Sequence, residues 1–139
     1  MLTSQRVARI DALHTVQQKI SSDAANPLVY NGQQLIPGVT RTFSASRPLF
    51  VFFQSYERDA VTMRPLVAYV TFYGRGVKAF ESESLAVRDG WNPTSKAVPI
   101  RFTVPLGPLQ PGSYDCQVTV LDPDGGRAAF WRAPIVVNR

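Results

Sequence analysis

The chain has 139 residues, a formal net charge of +5, one His and one Cys. That length suits a single domain burying roughly two-thirds of its unfolded surface, and 45% hydrophobic residues against 18% charged ones exclude a disordered polyelectrolyte. One His and one Cys exclude a Cys/His metal cluster and a disulfide framework, so no cofactor is expected.

No apolar run reaches the ~18 residues of a membrane-spanning helix. The basic residues are mostly Arg, and Arg6, Arg41, Arg47, Arg58, Arg75, Arg88, Arg101, Arg127, Arg132 and Arg139 are scattered along the chain. A phosphate-binding surface needs clustered cations, so no nucleic-acid partner is expected. The first ten residues, Met1 to Ile10, lack the continuous apolar core of a signal peptide.

In chain order, residues 2–20 carry Leu2, Ile10, Leu13, Val16 and Ile20 on one broad face, with Gln5, Arg9, Gln18 and Lys19 elsewhere. This spacing predicts an N-terminal α-helix, ended by Ser21, Ser22 and Asp23 and by Asn26-Pro27. The helix is expected to cover the following domain, link to an upstream one, or form a dimer contact. Residues 1–26 are read as helix and linker, and residues 27–139 as the main domain.

From Pro27 onward the period is two. Val39 to Phe43 is a strand candidate, and Leu49 to Phe53 is apolar on both faces, as in a central strand. Leu66, Ala68, Val70 and Phe72 alternate with Val67, Tyr69, Thr71 and Tyr73. Val98, Ile100, Phe102 and Val104 alternate with Pro99, Arg101, Thr103 and Pro105. Tyr114, Cys116, Val118 and Val120 alternate with Asp115, Gln117, Thr119 and Leu121. Val77 to Phe80 and Ala128 to Val137 complete the set. Pro48, Pro65, Pro99, Pro105 and Pro111 are read as strand boundaries, and Pro134 as the mark of an edge strand or one that changes partner. Hairpin turns are expected at Tyr73-Gly-Arg-Gly-Val77 and within Leu121 to Arg127.

Seven to eight short strands with regular punctuation predict an all-β fold: an antiparallel β-sandwich of immunoglobulin-like or fibronectin-like type behind one helix. Tyr114, two residues before Cys116 and just after Gly112, fits the tyrosine corner of such domains. Cys116 is then a small buried side chain, and Gly112, Tyr114 and Cys116 are structural residues.

Asn26-Pro-Leu-Val, Pro37-Gly-Val-Thr-Arg-Thr-Phe43, Leu49-Phe-Val-Phe-Phe53, Val98-Pro-Ile-Arg-Phe102 and Leu109-Gln-Pro-Gly-Ser-Tyr114 appear in that order. The set resembles the C-terminal region of bacterial von Willebrand factor A-related proteins abundant in Acidobacteria. The resemblance implies an accessory module behind an A-type domain in a large exported parent. Its expected location is therefore extracellular or in the cell envelope. It brings no catalytic or metal residues with it: the A-type metal element is Asp-x-Ser-x-Ser, and Ser44-Ala-Ser46 lacks the Asp.

Catalytic candidates are few. His14 is the only available imidazole and no Gly-x-Ser-x-Gly element exists, which removes a hydrolytic triad. Glu81 and Glu83 read as a polar edge, and Asp122 and Asp124 as turn residues. No enzymatic activity is expected. Binding is assigned to aromatic residues: Tyr69 and Tyr73 share the outward face of one strand, and Trp91 sits in the loop Asp89-Gly-Trp-Asn-Pro93. The expected function is a non-catalytic accessory or protein-interaction module, its partner being another protein or an upstream domain of the same parent. The alternative is a carbohydrate-binding module that uses these aromatic rings.

Overall fold

The computed structural model describes residues 2–3, 7–9, 29–30, 33–35, 40–56 and 60–139. The described residues form twelve strands and no helix. They are β1 (Leu2–Thr3), β2 (Val7–Arg9), β3 (Val29–Tyr30), β4 (Gln33–Leu35), β5 (Thr42–Ser44) and β6 (Leu49–Tyr56), followed by β7 (Leu66–Gly74), β8 (Val77–Glu81), β9 (Leu85–Val87), β10 (Ala97–Val104), β11 (Gly112–Asp122) and β12 (Arg127–Asn138).

One sheet has the order β1-β6-β10 and is antiparallel throughout. A larger one runs β5-β12-β11-β7-β8, with β9 also on β7, and only its β5–β12 pair is parallel. A small antiparallel sheet has the order β2-β4-β3. The helix expected over 2–20 does not hold where that segment is described. Leu2 and Thr3 pair with Val51 and Phe50, and Val7–Arg9 pair with Leu35, Gln34 and Gln33. Leu2 lies eight positions before the next member of its supposed apolar face, too sparse a pattern to hold a helix against ladder pairing. Residues 10–28, His14 among them, lie outside the described residues.

The alternating strands bury the faces their sequences indicate. Leu49, Val51, Val98, Ile100, Phe102 and Val104 from one sheet share a single core with Leu66, Ala68, Val70, Phe72, Cys116, Val118, Ile135 and Val137 from the other. Leu106 and Leu109 plug this core from the loop between β10 and β11. β6 is central in its sheet, which explains its apolar character on both faces: outward Phe52 is covered by the Arg101 guanidinium, 5.4 Å from its ring centroid.

Pro99 corrects one expectation, since it lies inside β10 opposite Gln54. β10 is an edge strand, where a proline is tolerated and blocks pairing with another chain. Pro134 lies within β12, opposite Asp115. β5 joins the other side of β12 only at Val136, so the proline precedes the point where that strand gains its second partner.

The β7–β8 turn has Arg75 and Gly76 at φ of 52° and 77°, the two positive values of a type I′ hairpin. The β11–β12 turn is built on Asp122. Its Oδ1 accepts the Gly125 amide at 2.9 Å, and its Oδ2 accepts Arg127 Nη2 at 3.0 Å, with Arg64 Nη1 at 3.6 Å. A Cβ on Gly125 would collide with the Asp122 carboxylate that the Gly125 amide and Arg127 hold in place, so a side chain there would disturb the turn. The Gly125 amide bond, and then the two arginines, hold the Asp122 carboxyl below its ordinary value. A depressed folded-state pKa stabilises the fold above the unfolded value of about 3.9, and that contribution is lost as the pH falls through the lowered value. Acid unfolding monitored by circular dichroism should therefore begin at higher pH in Asp122→Asn than in the parent chain, and the variant's urea midpoint should fall less steeply with pH below about 4.

Cys116 is fully buried in β11, and burial pushes its thiol up to about 12. The folded chain should resist iodoacetamide at pH 8 and become alkylated only on unfolding. Between the unfolded thiol value of about 8.5 and 12 the unfolded state loses its proton first, so stability falls as pH rises through that window.

Candidate functional site

β6 and the β11–β12 hairpin converge at one end of the two main sheets. The strand alternation turns Phe53 and Ser55 of β6, Val118 and Val120 of β11, and Ala129 and Trp131 of β12 toward the space between them. Elsewhere that space is filled by Leu, Ile, Val and Phe. Here Ser55 and Ala129 are too small to fill it, and a cavity of about 350 Å³ remains. Phe53 is its floor, stacked on Phe102 with centroids 6.2 Å apart. Tyr56, Phe130 and Trp131 stand around the opening and are 63%, 66% and 43% exposed.

Single exposed rings are ordinary, but these three cluster around one apolar gap. Polar groups at the rim are set in advance. The Tyr56 hydroxyl donates to Gln54 Oε1 at 3.0 Å. Among the described residues, no Asp, Glu, Lys, Arg or His lines the cavity, although the chain carries +5 overall.

Two unpaired strand edges border the same gap. β10 covers one side of β6 over its whole length, while β1 covers the other only at Phe50 and Val51. The side of Phe53–Tyr56 away from β10 has no partner among the described residues. On the other sheet β5 covers β12 at Val136–Asn138, and among the described residues Ala128–Ala133 have no ladder partner on the side away from β11.

The residues singled out from sequence lie elsewhere. Trp91 is half-buried against the core and does not line the cavity. Lys96 Nζ sits 5.2 Å from its ring centroid and donates to the Ala60 carbonyl at 2.8 Å. The neighbouring Asn92 Oδ1 accepts the Thr94 and Ser95 amides, so this loop is internally braced. Tyr69 and Tyr73 do share the outward face of β7 and are half-buried there. Tyr73 carries the Arg132 guanidinium over its ring at 5.2 Å, and Arg132 Nη2 donates to Gln117 Oε1 at 2.6 Å. Trp91 and the two tyrosines therefore do not form one site.

The structural residues have clear partners. The Tyr114 hydroxyl donates to the Gln110 carbonyl at 2.7 Å, back across the turn before β11. Gly112 opens β11 opposite Val137, beside the Tyr114 ring. Glu81 is occupied by Thr71 Oγ1 at 3.0 Å and Lys78 Nζ at 3.6 Å, and β8 ends there, so Glu83 does not continue its face. Among the described residues no group of three or more His, Cys, Asp and Glu side chains is placed to hold a metal ion.

Sequence reasoning left Tyr56 and Trp131 unplaced and overlooked Phe130. The available signal was Phe130-Trp131 itself: neighbours in a strand point to opposite faces, so one of the two had to look inward just after a hairpin. Comparison of the chain with family models, with characterised proteins and with solved structures returns no match.

Proposed function

We propose that this chain is a non-catalytic interaction module that binds its partner at the aromatic mouth formed by Tyr56, Phe130 and Trp131. The observation that carries this reading is a cavity of about 350 Å³, lined among the described residues by uncharged side chains, with three large exposed rings at its rim. Such an arrangement gives affinity by burying rings, the usual source of interface hot spots.

The module is of immunoglobulin-like type in this reading. Support comes from the strand order, in which the last two strands, β11 and β12, lie beside β7 in one sheet while β6 and β10 pair in the other. The Tyr114 corner and the buried Cys116 two residues later are further support. The ordered motifs from Asn26 to Tyr114 favour a parent of the bacterial von Willebrand factor A-related kind, exported and larger than this chain.

The test has two parts. Immunoblots of cytoplasm, envelope and medium should show a band well above 15.4 kDa outside the cytoplasm. Purified chain should then retain an envelope protein that a chain with Tyr56→Ala, Phe130→Ala and Trp131→Ala does not retain. Equal retention by both chains contradicts the assignment of the mouth.

A further inference from the structure

We propose that the outward face of the larger sheet is a second binding site, for a neutral β-1,4-linked polysaccharide, carried by Tyr69, Phe130, Gln117 and Arg132. It lies on the other side of β12 from the mouth and goes beyond the interaction-module reading.

Strand register builds this face in rows. Thr119 of β11 pairs with Tyr69 of β7 on one side and with Phe130 of β12 on the other, which makes an aromatic row. Two residues along, Gln117 pairs with Thr71 and with Arg132, which makes a polar row. The rows are roughly 7 Å apart, and the backbones at Tyr69 and Phe130 are two strand spacings, or roughly 10 Å, from each other.

The long side chains are fixed before any ligand arrives. Gln117 Oε1 accepts Arg132 Nε at 3.2 Å and Nη2 at 2.6 Å, and Gln117 Nε2 donates to Thr119 Oγ1 at 3.4 Å. The Arg132 guanidinium lies 5.2 Å from the Tyr73 ring centroid, so it reaches from β12 across β11 to β7. Thr71 and Thr119 are each only 1% exposed although they point away from the core. The side chains around them therefore form a closed surface, with Phe130 prominent on it. A surface ordered in advance loses little side-chain entropy on binding.

The composition of this surface selects its ligand. Aromatic rings pack against the C–H faces of pyranoses, and a sugar chain on the aromatic row brings its hydroxyls over the polar row. Hydroxyls both donate and accept: Arg132 supplies donors, and the Asp115 and Glu81 carboxylates supply acceptors. At the outward positions of β7, β8, β11 and β12, Arg132 and Lys78 are matched by Asp115 and Glu81. An acidic polymer would meet two carboxylates and a basic one two cations, so the complementary occupant is neutral. The spacing of Tyr69 and Phe130 suits two units of an extended β-1,4-linked chain, in which every second ring presents the same face.

The test titrates the full chain with cellohexaose, xylohexaose and mannohexaose, each neutral and β-1,4-linked, by heteronuclear NMR. At least one should shift the side-chain signals of Gln117 and Arg132 and the amides of Tyr69 and Phe130, with Phe53 and Ser55 unmoved. Arg132→Lys keeps the charge but loses the paired bonds to Gln117, and should weaken that binding at least about fivefold. Tyr56→Ala, on the other sheet, should leave it unchanged. The proposal is overturned if none of the three sugars shifts these signals, if the shifts fall at Phe53 and Ser55, if hexagalacturonate binds more tightly, or if Arg132→Lys binds as the parent does. Each of those results leaves the interaction module standing, because neither Gln117 nor Arg132 lines the mouth.

Discussion

Phe72→Ala should be the most destabilising single truncation in the chain, at about 3–5 kcal/mol. Phe72 is 0% exposed at the centre of β7, the strand that holds β11 on one side and β8 and β9 on the other. Its ring packs at 6.1 Å from that of Phe80. Removing it opens a void between paired strands, where the backbone ladder prevents the walls from closing in. A domain of this size has a total stability of roughly 5–15 kcal/mol, so the variant should lose much of its margin. Urea denaturation should show a lower midpoint with an unchanged slope. A loss below about 1 kcal/mol would mean that β7 is not a buried interior strand of the larger sheet.

Trp131→Ala should produce the opposite pattern. Trp131 is 43% exposed and stands beside a cavity, so its removal leaves fewer packed neighbours unsupported, and the stability cost should stay near 1 kcal/mol. Partner affinity should fall at least about tenfold, because a half-exposed ring at the centre of an apolar mouth is a typical hot spot. Phe130→Ala, with the side chain 66% exposed, should change stability by no more than about 0.5 kcal/mol. Comparing affinity by titration with stability by denaturation separates a binding residue from a packing residue. If Trp131→Ala costs stability as Phe72→Ala does and spares affinity, the mouth is part of the core.

Much of the fold was legible because strands buried on one face write their period into the sequence. Leu66 to Phe72, Val98 to Val104 and Cys116 to Val120 alternate, and each buried the face that alternation indicated. Turn chemistry located both hairpins, through Gly76 in the first and through Asp122, Gly125 and Gly126 in the second, although Arg75 takes a positive φ without being glycine. β9 escaped notice because Leu85–Val87 is short and mostly exposed, with no alternation to reveal it. The parallel β5–β12 pairing and the pairing of β1 with β6 are contacts distant in sequence, on which local pattern is silent.

The site was less legible, for a different reason. Alternation says which face a residue occupies, but not how far the opposite sheet extends over it. Tyr69 and Tyr73 were placed on the correct face, yet Arg132, Gln117 and neighbouring side chains pack around them there. Trp91 was taken for an exposed loop ring, and the fold closes that loop over the core. Among the described residues β5 reaches β12 only at Val136–Asn138, short of Phe130 and Trp131, and that register is set by contacts distant in sequence.

The most direct test of the mouth is the fluorescence of Trp131 in a Trp91→Phe chain, with acrylamide as quencher. An open mouth predicts emission at the long wavelengths of a water-exposed indole and efficient quenching, with both reversed when a bound partner covers the ring. Short-wavelength emission shielded from acrylamide in the free chain would show the mouth already filled, and would contradict the assignment of this surface to a partner.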